Sequence, residues 1–183
     1  MSKTILGLAG EIASGKGTIA RYICEKHGGS SHRFSTMLRD VANRMYLEEN
    51  RENLQKISTI FRENFFGNIL SSVIAKDVEK DDHKIVVIDG VRRLADIEYL
   101  KKIPGFKLVY VEADMEKRYK RITARGENTD DTTKTFEDFK KDHEREAELQ
   151  IKDLKTQADF VIDNNGDLEN LYKQVDDIIN PIQ

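Results

Sequence analysis

Short apolar runs alternate with amphipathic stretches along the chain, and glycine, aspartate or proline closes most of the runs. Residues 3–9 (KTILGLA) are an apolar run that stops at Gly10, and from about Lys16 to His27 the positions Ile19, Ala20, Ile23 and Cys24 recur at helical spacing. This predicts a strand, a glycine loop and a helix that ends at Gly28-Gly29, because glycine tolerates the left-handed conformation of a helix C-terminus. A short strand at about 31–34 leads into a helix opening at Ser35 or Thr36, both good caps. A long helical stretch follows over about 52–80, with Leu54, Ile57, Ile60, Phe61, Phe65, Ile69, Val73 and Ile74 on one broad side.

Residues 84–88 (KIVVI) form an uninterrupted β-branched run, the pattern of a strand buried on both faces of a parallel sheet, ended by Asp89-Gly90. A helix over about 94–103 is closed by Pro104-Gly105, and 106–112 (FKLVYVE) reads as another buried strand. Asp114 caps a helix that runs to Gly126 and carries Arg118, Arg121 and Arg125. Residues 127–135 (ENTDDTTKT) are polar throughout and predict an exposed loop; 136–155 is a strongly charged helix. A last strand at 158–163 and a helix from Asp167 to about 179 complete the pattern. Strands alternating with helices about five times predict an α/β fold, a parallel sheet with helices on both faces and right-handed crossovers.

Composition narrows the classes of function. A chain of 183 residues, 38% hydrophobic, suffices for one domain with a real core, and 1–183 is expected to be a single domain. Charged residues reach 34%, yet Lys+Arg 30 and Asp+Glu 33 leave a formal net charge of only −3. No global field marks a nucleic-acid or membrane surface, so anion binding has to be local. The single cysteine, Cys24, excludes an intrachain disulfide and multi-cysteine metal sites, suits a reducing compartment and is expected in the core. No run of 18 apolar residues occurs, and the N-terminus lacks the apolar region of a signal peptide, so the expectation is a soluble cytoplasmic protein, by default a monomer. His27, His32, His83 and His143 are scattered without metal-ligand spacing and read as surface or satisfied histidines. The pairs Asp81-Asp82 and Asp130-Asp131 read as exposed and carry no assigned chemistry.

Local anion binding has an evident seat. Gly10-Glu-Ile-Ala-Ser-Gly15-Lys16-Gly17-Thr18 follows the first strand and opens the first helix, the context of a phosphate-binding loop. Its glycines let backbone N–H groups turn inward around a phosphate chain, the helix N-terminus adds partial positive charge, and Lys16 can reach the outer phosphates. Gly10, Ala13, Ser14, Gly15, Lys16, Gly17 and Thr18 are the candidate ATP-binding residues. In the strict pattern Ser or Thr follows the lysine; here Gly17 intervenes and Thr18, the candidate magnesium ligand, comes one residue later. No Asn-Lys-x-Asp base-reading motif occurs, which disfavours a guanine-nucleotide switch.

The Gly-Lys-Gly-Thr ending resembles adenylate kinase and related nucleoside monophosphate kinases. Ser35-Thr36-Met37-Leu38-Arg39 resembles the Ser-Thr-Gly-Asp-Met-Leu-Arg segment of that family, shortened by two residues, which implies an acceptor-phosphate role for Arg39. Asp89-Gly90-Val91-Arg92-Arg93 resembles its Asp-Gly-Phe-Pro-Arg stretch. An aspartate at the carboxyl end of an apolar strand points at the ligand crevice, so Asp89 is a candidate for magnesium-bound water. Arg93 matches the family's acceptor arginine, whereas the Asp-Gly-x-Arg pattern of dephospho-coenzyme A kinase-like proteins selects Arg92; both stay open. Arg62 is a further acceptor candidate in the helical insertion at about 35–80.

Arg121 and Arg125 are four residues apart and share a helix face, with Arg118 adding a third charge there. This resembles the lid entrance of the same kinases, which implies that Arg121 stacks on the adenine and Arg125 meets the phosphates. The lid spans about 126–145, and Arg145 is its candidate closing residue. The resemblance implies a three-layer phosphate-loop fold with a five-stranded parallel sheet, and ATP-dependent phosphoryl transfer to a nucleoside or deoxynucleoside monophosphate. Lys16, Arg125 and Asp89 would carry the chemistry with magnesium. The alternatives are a dephospho-coenzyme A kinase-like enzyme acting on a hydroxyl, and an ATP-binding regulatory module with slow hydrolysis.

Overall fold

A five-stranded parallel sheet of order β2-β3-β1-β4-β5 organises the computed structural model, which describes residues 3–125, 132, 134–143 and 150–181. β1 (Thr4–Ala9) lies at its centre between β3 (Ile85–Val91) and β4 (Phe106–Glu112), with β2 (Ser30–Arg33) and β5 (Phe160–Asp163) on the edges. Every residue of β1 is buried, as an uninterrupted apolar run in a doubly covered parallel sheet requires. Alternate residues feed two cores. Ile5, Ala9, Val86, Ile88, Leu108 and Tyr110 face α2 (Phe34–Arg44), α3 (Arg51–Asn64), α4 (Ile69–Lys80), α5 (Leu94–Ile97) and α8 (Ile151–Lys155). Leu6, Leu8, Val87, Val109, Val111 and Ile162 face α1 (Lys16–His27) and α9 (Leu168–Ile179). Two further helices are α6 (Met115–Arg125), which leads into the predicted lid, and α7 (Phe136–Asp142), which lies within it. None of the described helices is long and apolar enough to cross a membrane.

Several boundaries differ from expectation, each for a local reason. β3 continues beyond Asp89 to Val91: Gly90 takes φ +89°, the pairing with β1 shifts between Leu8 and Ala9, and the chain rejoins the ladder at fully buried Val91. α2 starts at Phe34, one residue early, without a side-chain cap, so Ser35 and Thr36 lie inside its first turn. The long stretch at 52–80 is two helices, because the chain turns at Phe65–Asn68. Ile57 and Ile74 from that stretch are buried, while Ile60, Phe65 and Val73 stay exposed. The helix expected over 94–103 is the single turn α5 followed by a 3-10 turn at Leu100–Lys102. Within 136–155, α7 ends at Asp142 and α8 begins at Ile151, with 144–149 outside the described residues. Cys24 is half-buried rather than packed in the core, and burial raises its thiol pKa, with a smaller push from Glu25.

Asp81 is the clearest correction among the surface residues. Its carboxylate accepts from Ser30 Oγ (2.5 Å), His32 Nε2 (2.7 Å), His83 Nδ1 (2.7 Å) and the His83 N–H (2.9 Å), fastening the end of α4 to edge strand β2. His27 is likewise held, 2.8 Å from Asp176 of α9.

Candidate functional site

The carboxyl ends of the five strands place their following loops along one edge of the sheet, where open parallel sheets bind ligands. Between β1 and α1 the loop 10–15 curls on three left-handed residues, Gly10 (φ +143°), Ala13 (φ +59°) and Gly15 (φ +110°). Two of these glycines are enforced by contact as well as by φ. A Cβ on Gly10 would sit 2.2 Å from the Val111 carbonyl oxygen of β4, and one on Gly15 would sit 2.1 Å from Asn164 Nδ2 beyond β5. Buried Asn164 donates from that same Nδ2 to the Ser14 carbonyl at 2.7 Å, so the end of β5 holds the loop while the end of β4 packs close against Gly10.

Lys16 folds back over the loop: its Nζ donates to the Gly10 carbonyl at 2.6 Å and to the Glu11 carbonyl at 2.9 Å. α1 opens on Gly15 with no side-chain cap and no acidic residue in its first turn, which leaves the positive end of its dipole facing the loop. An anion fits here without displacing a carboxylate from the helix terminus. Gly17 is exposed and Thr18 half-buried in that first turn.

Asp89 stands at the end of β3 with its side chain almost wholly buried, and Arg33 at the end of β2 donates to it from Nε at 2.9 Å. Arg33 Nη2 lies 4.0 Å from where a Cβ on Gly17 would be, so this guanidinium spans the space between Asp89 and the start of α1. Among the described residues no group of three or more His, Cys, Asp or Glu side chains could hold a metal. The donors on hand, one carboxylate and one threonine hydroxyl, suit a magnesium ion that takes its remaining ligands from phosphate oxygens and water.

Arg121 of α6 reaches the same edge and donates from Nη2 to the Asn164 carbonyl at 2.8 Å. Its Nη1 is buried and has no hydrogen-bond partner among the described residues, a donor that a bound ligand would satisfy. Arg125 closes α6; its side chain, like all of Arg145, lies outside the described residues. Arg118 is 2% exposed and lies against the phosphate loop, where its Nη1 donates to the Ile12 carbonyl at 3.2 Å.

The acceptor candidates separate into two groups. Arg92 is exposed and Arg93 half-buried on the turn after β3, and both of their backbone N–H groups donate to buried Asp96 at 3.0 Å. Arg62 does not face the crevice freely: it donates to Asp96 at 2.7 Å and to the Gly67 carbonyl at 2.9 Å, bracing α3 against that turn. Arg39 pairs with Glu49 at 3.0 Å on the α2 surface. Beside them, Arg33, Thr36, Asp40 and Asp77 help to line a cavity of about 120 Å³ between β2, α2 and α4.

Sequence reasoning passed over Arg33, Asp96 and Asn164, and read Arg118 only as a third charge on the helix face of Arg121 and Arg125. Arg33 and Asn164 sit at the carboxyl ends of strands just as Asp89 does, so the rule that selected Asp89 would have found them. The pairings of Asp96 with Arg62 and of Arg118 with Glu11 join residues distant along the chain and carry no local signal.

Residues 6–150 match the AAA domain family. A UPF0200 protein of Pyrobaculum aerophilum is 31% identical over 177 residues, covering 96% of each chain. One from Hyperthermus butylicus is 29% identical over 167 residues, 91% of this chain and 88% of that one. The fold is shared with shikimate kinase from Bacteroides thetaiotaomicron, at TM-score 0.65 and 13% identity over 98% of both chains. It is shared also with the Thermus thermophilus protein TT1252, at TM-score 0.64 and 15% identity over the full length of both.

Proposed function

The chain belongs to the AAA-domain family and to the UPF0200 proteins, and on that premise we propose that it transfers the terminal phosphoryl of ATP to the phosphate of a nucleoside or deoxynucleoside monophosphate. The observation that carries this reading is the seat itself. A left-handed loop packed against Val111 and held by Asn164 leads into an uncapped helix start, with Lys16 folded over it and Asp89 beside it.

In this reading Lys16 exchanges the Gly10 and Glu11 carbonyls for phosphate oxygens, and the N–H groups opening α1 hold the phosphate chain. Arg121 meets the nucleotide through its unpartnered Nη1, Arg125 follows the moving phosphoryl, and Arg145 closes the lid. Thr18 and, through water, Asp89 would hold a magnesium ion, which would neutralise phosphate charge. Arg92 and Arg93 grip the acceptor phosphate from the exposed turn that Asp96 shapes, with Arg39 nearby and Arg62 as the brace. The catalysis is positioning and electrostatic stabilisation, with no covalent intermediate. A phosphate acceptor is already anionic and needs no base. A hydroxyl acceptor, as in the dephospho-coenzyme A kinase-like alternative, does need one, and Arg33 holds Asp89, the carboxylate best placed to serve. We place the activity in the cytoplasm, in a monomer acting on small molecules rather than on nucleic acid or a membrane.

The test is ATP turnover with magnesium and a panel of ribo- and deoxynucleoside monophosphates plus dephospho-coenzyme A, with products identified. A nucleoside diphosphate product is expected. Conversion of dephospho-coenzyme A alone, or ATP hydrolysis that no acceptor accelerates, would overturn the reading.

A further inference from the structure

A phosphate loop is built to receive anions, yet this one carries a carboxylate at its second position, Glu11. The structure shows what offsets it. Arg118 of α6 reaches under the loop, and its Nη2 lies 3.1 Å from Glu11 Oε2. The same guanidinium donates from Nη1 to the Ile12 carbonyl at 3.2 Å and from Nε to the Ala113 carbonyl at 2.9 Å. It therefore binds one loop residue by charge and the next by backbone, while anchored to the end of β4.

A fourth partner is His143, which follows α7. Arginine can only donate, so the 2.6 Å contact between Arg118 Nη1 and His143 Nε2 makes Nε2 the acceptor. The proton then sits on Nδ1, which donates to the Phe139 carbonyl at 2.7 Å, and the imidazole is neutral. Phe139 completes the enclosure, its fully buried ring 5.8 Å from the guanidinium carbon. In this low-dielectric setting an uncompensated Glu11 charge would act on bound phosphate far more strongly than in water.

We propose that Arg118 is a positioning residue that neutralises the carboxylate of the phosphate loop and, through His143, fixes the loop to the end of helix α7. It does not touch the nucleotide; it makes the loop a place where phosphate is tolerated. The inference rests on the reading that this loop binds nucleotide phosphates. Its consequence is reciprocity: losing Arg118 is harmful chiefly because Glu11 is left charged, so removing the Glu11 charge as well should restore binding.

The experiment is a double-mutant cycle read by calorimetric titration with ADP, with thermal melts of each variant as the check on folding. Arg118→Met is expected to weaken ADP binding by roughly tenfold or more. Glu11→Gln alone should leave affinity unchanged or raise it, and Glu11→Gln with Arg118→Met should recover to within about threefold of the parent. Arg118→Lys retains the charge and should stay within about threefold as well; it keeps the test decisive if Arg118→Met fails to fold. A double variant as weak as Arg118→Met, or a folded Arg118→Lys as weak as it, overturns the proposal. Failure of the parent protein to bind ADP would instead strike the reading on which the proposal rests.

Discussion

The side-chain amide of Asn164 donates to the carbonyl of Ser14 at 2.7 Å, joining the end of the last strand to the middle of the phosphate loop across 150 residues of sequence. The loop therefore takes its shape only when the edge strand is in place. Asn164→Ala leaves a buried carbonyl unpaired and should cost about 1–3 kcal/mol of stability. ADP affinity should fall in parallel. Denaturant melts and titration with ADP measure the two effects; loss of stability with unchanged affinity would separate the residue from the loop's function.

Gly10→Ala and Gly15→Ala should each damage the loop more than a surface substitution does. Both positions hold a left-handed φ, and their added methyl groups would lie 2.2 Å from Val111 O and 2.1 Å from Asn164 Nδ2. The obstacle at Gly10 is backbone, which cannot swing away, so Gly10→Ala should be the worse of the two. Comparing ADP binding by the folded fractions checks the order.

Lys16→Ala should leave the fold intact, because the contacts its Nζ makes with the Gly10 and Glu11 carbonyls involve groups that water can reach once the side chain is gone. Phosphoryl transfer should drop by about 10²–10³ in kcat, the usual effect of removing one donor aimed at developing charge. Steady-state kinetics with the acceptor identified by the panel measures it.

Arginines of the acceptor side should part by phenotype. Arg62 and Asp96 form a closely paired, poorly exposed couple, so Arg62→Ala should cost about 3–5 kcal/mol by leaving Asp96 uncompensated. Arg92→Ala and Arg93→Ala should cost less stability than Arg62→Ala and raise the acceptor KM more than that of ATP. Melts and acceptor titrations distinguish the brace from the grip. Whichever of Arg92 and Arg93 moves the acceptor KM further is the one matching its family pattern.

Stability should depend on pH through Asp81. Burial works against its charge, but hydrogen bonds from Ser30, the His83 N–H, His32 and the His83 ring outweigh burial and hold the carboxyl well below its ordinary range. A folded pKa below the unfolded value contributes stability that is complete above about pH 4 and is lost as pH falls further. Asp81→Asn should therefore cost about 1–3 kcal/mol at neutral pH, with the difference from the parent shrinking below about pH 4. Urea melts across that range test it; a difference independent of pH would show that the ionised form contributes nothing.

Legibility in the sequence followed the range of the interactions. The alternation of apolar runs and helical periodicity disclosed the strands because each is buried by its own residues, and the Gly10–Thr18 motif disclosed the loop because its geometry is encoded locally. The break at Phe65–Asn68 was hidden, since helical spacing continues across it on both sides. The extension of β3 was hidden because Asp89-Gly90 is ordinarily a terminator, and only pairing with β1 carries the strand through Gly90 to Val91. Arg39 and Arg62 looked alike as exposed helix arginines; Glu49 and Asp96, which give them different duties, stand 10 and 34 residues away.

By itself the sequence determined the layered α/β plan, the phosphate loop and the charge on Lys16, Asp89 and the lid arginines. These depend on residue type and on spacings of a few positions. Tertiary structure alone decided that Arg118 meets Glu11 and His143, that Arg33 holds Asp89, and that Asn164 shapes the loop. A charged side chain states what it can bind; which partner lies within 3 Å is set by how the sheet brings the ends of separate strands to one edge.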